Sequence, residues 1–134
     1  MPTITTRYEG QLRTEATHLQ SGTQFITDAP IDNHGKGESF SPTDTVAGAL
    51  ASCMMTIMGI ESQKAGFELG HINAEVTKVM RANPRAISKI RIHFTYPNCD
   101  LTDDQKAFIK EKVITSAVAL TLLSTLTHEL TLDF

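Results

Sequence analysis

The order of patterns along the chain predicts an α+β fold, in which an antiparallel sheet carries its helices gathered on one side. Three observations predict it. Residues 3–27 read as short strands, a capped helix that is apolar on every side begins at Ser41, and a cleanly alternating strand pair is followed by a second capped helix and a last strand.

Taking the elements in order, "TITTRYEGQLRTEATH" alternates weakly and breaks at Gly10, and "SGTQFIT" resumes after a turn at Ser21-Gly22. Residues 28–40, "DAPIDNHGKGESF", are rich in Gly, Asp and Asn and make the longest loop, a kind of segment that is often functional or mobile. Ser41 suits a helix N-cap, Pro42 the first helical position and Asp44 the third residue of a capping box, where its charge also complements the helix dipole. This helix runs to Lys64 or Ala65 and is stopped by Gly66.

From Val46 to Ile60 the helix is apolar or small all round, so it is expected to be buried all round. A chain of 134 residues has little interior in which to hide it. A homodimer that packs this helix against its copy would supply the cover, and Ala47, Gly48, Ala51 and Ser52 would allow close approach.

In "HINAEVTKVM", Ile72, Ala74 and Val76 alternate with polar residues, and Asn83-Pro84 marks a turn. In "AISKIRIHFTY", Ile90, Ile92, Phe94 and Tyr96 share one face, and Lys89, Arg91, His93 and Thr95 the other. The pair reads as a long antiparallel hairpin. Thr102 with Gln105 forms a capping box, Asp103 and Asp104 fill the first turn, and the second helix is expected to continue to about Leu123. "THELTLDF" is a final strand.

Composition narrows the function. With 40% hydrophobic and 20% charged residues the chain is an ordinary soluble globular domain, expected to be single. A net charge of −3 gives no basic face for nucleic acid. The N-terminus "MPTITTRYEG" lacks the apolar core of a signal peptide. The charge-free stretch Thr45–Ile60 falls short of the ~20 apolar residues of a membrane span. A cytoplasmic protein without membrane or nucleic-acid partners is therefore expected. Two cysteines do not make a disulfide framework. The five histidines are scattered, with no CxxC or HxxxH spacing, so neither metal nor cofactor is expected. "HGKGE" lacks the strand–loop–helix setting of a phosphate loop.

The residues that remain are the cysteines. Cys53 lies well inside the apolar helix, and two readings of it stand: a small hydrophobe of the core, or a reactive thiol. Its helical neighbours Ala49, Leu50, Thr56 and Ile57 include no basic group, so a thiolate would need a cation from elsewhere in the fold. Cys99, in "YPNCDLT", reads as a loop residue.

The stretch "SPTDTVAGALASCMMTIMGI" resembles the OsmC/Ohr family, the osmotically inducible and organic hydroperoxide resistance proteins, through Ser41, Pro42, Asp44 and Cys53. "YEGQLRTEA" resembles the family's first hairpin, "EVTKVM…RIHFTY" its central strands and "ITSAVALTL" its second-cysteine helix. The resemblance implies an intertwined α+β homodimer with a buried central helix, and a peroxidatic role for Cys53. It implies attack by the thiolate on an organic hydroperoxide, with release of an alcohol and formation of a sulfenic acid. It further implies an arginine from the first hairpin that favours the thiolate, matched best by Arg13 and next by Arg7.

Two positions depart from the family pattern. Ser116, in Thr115-Ser116-Ala117-Val118, stands where the resolving cysteine is expected, so an external thiol would have to complete the cycle. The family glutamate that orients the arginine falls on Thr43, with Asp44 and Glu38 as the nearest carboxylates. The expectation is a one-cysteine peroxidase with Cys53, Arg13, Asp44 and Ser116 at its site, and with the loop 28–40 helping to wall the pocket. The alternatives are a non-catalytic dimer that binds a small hydrophobic ligand at its interface, and a plain structural dimer.

Overall fold

The computed structural model describes all 134 residues, which form two compact units, Met1–Val46 and Ala47–Phe134. The first unit is a three-stranded antiparallel sheet in the order β1 (Ile4–Gly10), β2 (Arg13–His18), β3 (Gln24–Asp28). β1 and β2 are joined by a tight turn in which Gln11 (φ 53) and Leu12 (φ 64) both lie in the left-handed region. Hairpin turns of this hand match the twist of the strands, but Asn and Gly usually occupy them because a Cβ is strained there. Three contacts hold the turn. Ala29 donates its N–H to the Leu12 carbonyl at 3.0 Å, Leu12 donates to Tyr8 Oη at 3.2 Å, and Lys36 Nζ donates to Gln11 Oε1 at 2.7 Å.

The loop after β3 is tied down along its length. Asp28 N–H donates to Phe40 O, Gly37 N–H to Ala29 O, and both Asn33 and Gly35 N–H groups to Pro30 O. Gly35 is required by this path, because a Cβ there would sit 1.7 Å from the Ala29 carbonyl oxygen.

Helix α1 (Pro42–Lys64) begins as its sequence predicts. Asp44 N–H donates to Ser41 Oγ at 3.0 Å, and Ser41 N–H donates back to Asp44 Oδ2 at 2.9 Å, which completes a capping box. It ends in a Schellman turn: Gly66 (φ 88) donates to Gln63 O, and Phe67 donates to Ser62 O.

The second unit packs most of α1 on a three-stranded sheet in the order β4 (Asn73–Arg81), β5 (Ala86–Thr95), β6 (Thr127–Asp133). The core joins Ala47, Leu50, Ala51, Met54 and Met58 of α1 to Ile90, Ile92 and Phe94 of β5, and to Ile109, Val113 and Ala119. The predicted hairpin is present, with Asn73 opposite Thr95 and Arg81 opposite Ala86. On its polar side Glu129 of β6 meets Lys89 at 3.1 Å and Arg91 at 2.8 Å.

Two expectations are corrected. There are two sheets, not one, and β6 pairs parallel to β5, from Lys89 opposite Thr127 to Thr95 opposite Asp133. The chain crosses over through helices after β5 and re-enters at the same end, which makes the pair parallel. The second helix is broken in two: α2 (Asp103–Lys112) carries the predicted Thr102–Gln105 capping box, a 3₁₀ turn takes Val113–Thr115, and α3 (Ala117–Leu122) follows. The β-branched run Val113-Ile114-Thr115 weakens the helix. Ser116 then turns extended (φ −63, ψ 146), and its Oγ caps α3 by accepting the Ala119 N–H at 3.2 Å.

One chain covers only one face of α1, in keeping with the expectation that 134 residues have too little interior to hide it. Ala47, Leu50, Ala51, Met54, Met58 and Ser62 are buried, whereas Val46, Gly48, Ala49, Ser52, Thr56 and Ile60 are exposed. By length and composition alone α1, with a mean hydropathy of 1.3 over its most apolar window, would suffice to cross a membrane. Its packing on β5 gives it the place of a core helix.

Candidate functional site

The second unit holds Cys53. Cys53 is a free cysteine, half-buried on α1, flanked along the helix by buried Leu50 and Met54 and by exposed Ser52 and Thr56. It stands at the margin between the core face and the open face. Cys99 is also free and half-buried, in the turn between β5 and α2. Ser116 is buried and spends its hydroxyl on the α3 cap.

The first unit holds Arg13. Arg13 opens β2 and Asp28 closes β3, and the strand register sets them directly opposite each other. Their side chains form a two-pronged pair: Nε donates to Oδ1 at 2.7 Å and Nη2 to Oδ2 at 2.8 Å. Such forks are the strongest of the charge-assisted hydrogen bonds between side chains. Asp28 is 2% exposed. It also accepts the Glu38 N–H at 3.2 Å, and the Glu38 carboxylate stands 3.8 Å from Arg13 Nη2. The hydrogen bonds from Arg13 hold the Asp28 carboxyl below the usual carboxylate range, against the opposing effect of burial. Arg13 also lines a cavity of about 240 Å³ with Glu9, Gly10, Gln11 and Lys36.

Arg7 lies on the same face of this sheet but is 73% exposed and paired with Glu9 at 2.6 Å and, more loosely, with Glu15 at 3.8 Å. Of the two candidate arginines, Arg13 is the more buried and the more firmly fixed. Asp44 is placed at the α1 cap. The carboxylate that meets Arg13 most closely is Asp28, which the sequence reading missed. The signal was incomplete: a turn at Ser21-Gly22 implies that β2 and β3 pair, but the observed register, which sets residue 13 against residue 28, centres between Gln20 and Ser21.

The family profile described as OsmC-like protein matches residues 35–131. Among solved structures, the chain is 43% identical to an osmotic stress induced and detoxification response protein from Psychrobacter arcticus 273-4, with TM-score 0.92, 99% of this chain and 96% of that one covered. It shares its fold, at 12% identity and TM-score 0.74, with the organic hydroperoxide resistance protein OsmC of Legionella pneumophila, over 100% of this chain and 98% of the other. The fold is also that of the organic hydroperoxide resistance protein OhrB of Bacillus subtilis, at 14% identity and TM-score 0.66, over 97% and 96% of the two chains. No protein with a curated description matches the chain. With its profile match spanning most of the sequence and a 43% identical relative covered nearly end to end, the chain belongs to the OsmC-like protein family.

Proposed function

We propose that the protein is a thiol-dependent peroxidase that reduces organic hydroperoxides through Cys53 alone. The observation that carries this reading is a free, half-buried thiol midway along α1 in a chain of this family. Two proteins of the same fold, from Legionella and Bacillus, are named for organic hydroperoxide resistance.

In the proposed step the Cys53 thiolate attacks the distal oxygen of the hydroperoxide. The S–O bond forms as the O–O bond breaks, and the departing alkoxide takes a proton to leave as the alcohol. Cys53 is left as the sulfenic acid. Ser116 has no sulfur to resolve it, so a small external thiol condenses with the sulfenic acid and releases water. A second thiol then reduces the mixed disulfide. A cation held near Cys53 would favour its thiolate, a role that the resemblance gives to an arginine of the first hairpin. The working unit is a cytoplasmic homodimer, with the open face of α1 covered by a second copy.

The test is the reaction of the reduced protein with cumene hydroperoxide, followed by trapping of the sulfenic acid with dimedone. The protein should consume peroxide and gain the adduct on Cys53, and Cys53→Ser should do neither. Equal peroxide consumption by the two proteins would overturn the reading.

Burial and capping use of Ser116 favour a second reading, in which the dimer has left the redox cycle and binds a small hydrophobic ligand at its interface. A co-purifying mass in native mass spectrometry, together with no peroxide turnover, would select it.

A further inference from the structure

His128 is half-buried, and its Nε2 is shut off from solvent without a hydrogen-bond partner. A buried polar atom left in this state calls for a physical account. The parallel register sets His128 beside Ile90, which is fully buried, so both side chains point to the core side of the sheet. A neutral imidazole leaves one weak polar atom unmatched there. A protonated one leaves an N–H donor and a charge.

The elements packed around this ring offer no counter-charge. β4 brings Lys78 to the same face, on the other side of Ile90. The titratable group on the core side of β5 is Tyr96, at the far end of the strand and bonded to the Gly70 N–H. α3 carries no titratable group. α1 carries Cys53 and, at its end, Glu61 paired with Lys64 at 3.5 Å. α2 has Lys106 and Lys112 half-buried, whereas Asp103, Asp104 and Glu111 are exposed. No carboxylate of the second unit is buried.

β6 is also the edge of its sheet, paired on one side only, and its fastenings are uneven. Glu129 meets Arg91 at 2.8 Å and Lys89 at 3.1 Å. His93 Nε2 lies 3.3 Å from Asp133 Oδ2, and Phe134 packs edge-on to Tyr96 at 5.6 Å. Hydrogen bonds from Arg91 and Lys89 hold the Glu129 carboxyl below the usual carboxylate range, so its pairs persist in mild acid. Protonation of His93 adds a charge to its contact with Asp133. Thr127 and His128, which open the strand, have no such side-chain fastening.

We propose that β6 is an acid-released edge strand: a proton on His128 frees Thr127, His128 and the turn before them, while the far end stays clamped through Glu129, Asp133 and Phe134. Opening lets water reach the imidazole, so the open form binds the proton more tightly than the closed one. The open population therefore rises as pH falls past about 6.5. What it bares is the backbone edge of β5 beside Lys89 and Ile90. The inference does not depend on the peroxidase reading.

The experiment is hydrogen–deuterium exchange read by mass spectrometry at pH 8 and pH 5, corrected for the pH dependence of the chemical step, on wild type and His128→Phe. In the wild type, amide protection over residues 124–129 is expected to fall by about threefold or more on acidification, while residues 130–134 and β4 change by less than about twofold. His128→Phe should hold residues 124–129 within about twofold. Unchanged protection of residues 124–129 in the wild type overturns the inference. So does an equal loss in His128→Phe, which assigns the acid response to other groups, and so does an equal loss over the whole second unit. If circular dichroism shows that His128→Phe does not fold, His128→Gln, polar and uncharged at both pH values, takes its place with the same outcomes.

Discussion

At the scale of single residues, two side chains with buried polar atoms fare differently. Ser116 has its hydroxyl inside the protein and matched to a helix N–H, a use that a thiol would serve less well because it is a weaker acceptor. His128 is the opposite case. Its Nε2 is buried on the core side of β6 without a hydrogen-bond partner, and burial pushes the imidazole below the ordinary histidine value. The sign follows from proton uptake. As pH falls past about 6.5 the unfolded chain binds a proton that the folded chain refuses. The stability that His128 allows is therefore complete above that pH, and it is lost as pH drops through the lower folded-state value. Urea unfolding between pH 8 and pH 5 should show this loss. His128→Phe, which has nothing to protonate, should flatten that part of the curve, and an unchanged slope would assign the acid sensitivity to other groups.

At the scale of elements, α1 was legible almost in full because its limits are written locally. Ser41, Pro42 and Asp44 start it, Gly66 stops it, and the start needs only residues three apart to agree. Its energetics are those of a core helix. Leu50 is fully buried among the β5 aliphatics, so Leu50→Ala should cost about 2–5 kcal/mol in chemical denaturation. A cost under about 1 kcal/mol would mean that the site collapses around the deletion. The second helix was legible only at its start. The apolar run after Lys112 fits a continuing helix as well as a broken one, and the break depends on Ser116 turning extended inside the packed core. Asp28 illustrates the same limit at the candidate site. Arg13 carries a resemblance, but its partner lies across a strand pair, and no local window contains both.

At the scale of the molecule, apolar residues on every side of α1 give a simple arithmetic of faces. One chain buries Leu50, Met54 and Met58 and leaves Val46, Ala49 and Ile60 open. The homodimer proposed above should appear as twice the mass of 14.7 kDa in sedimentation equilibrium. Ile60→Glu, which sets a charge on the open face, should shift the mass toward the monomer, and unchanged association would move the interface elsewhere. The apolar residues all round α1 could be read from the sequence, because they are a matter of composition. Parallel pairing of β6 with β5 could not, because it depends on where the chain re-enters the sheet after two helices.

On the ribosome the second sheet is made out of order. β4 and β5 are neighbours in the chain and can zip as they emerge, but the partner of Lys89 is Thr127, synthesised only after both later helices. At roughly 5–20 residues per second, the outer edge of β5 waits some seconds with its backbone donors and acceptors unmatched. Throughout that interval the nascent chain presents the open strand edge that the finished protein has covered. The speed at which the segment between β5 and β6 is translated therefore sets how long each new copy stays exposed to wrong pairing.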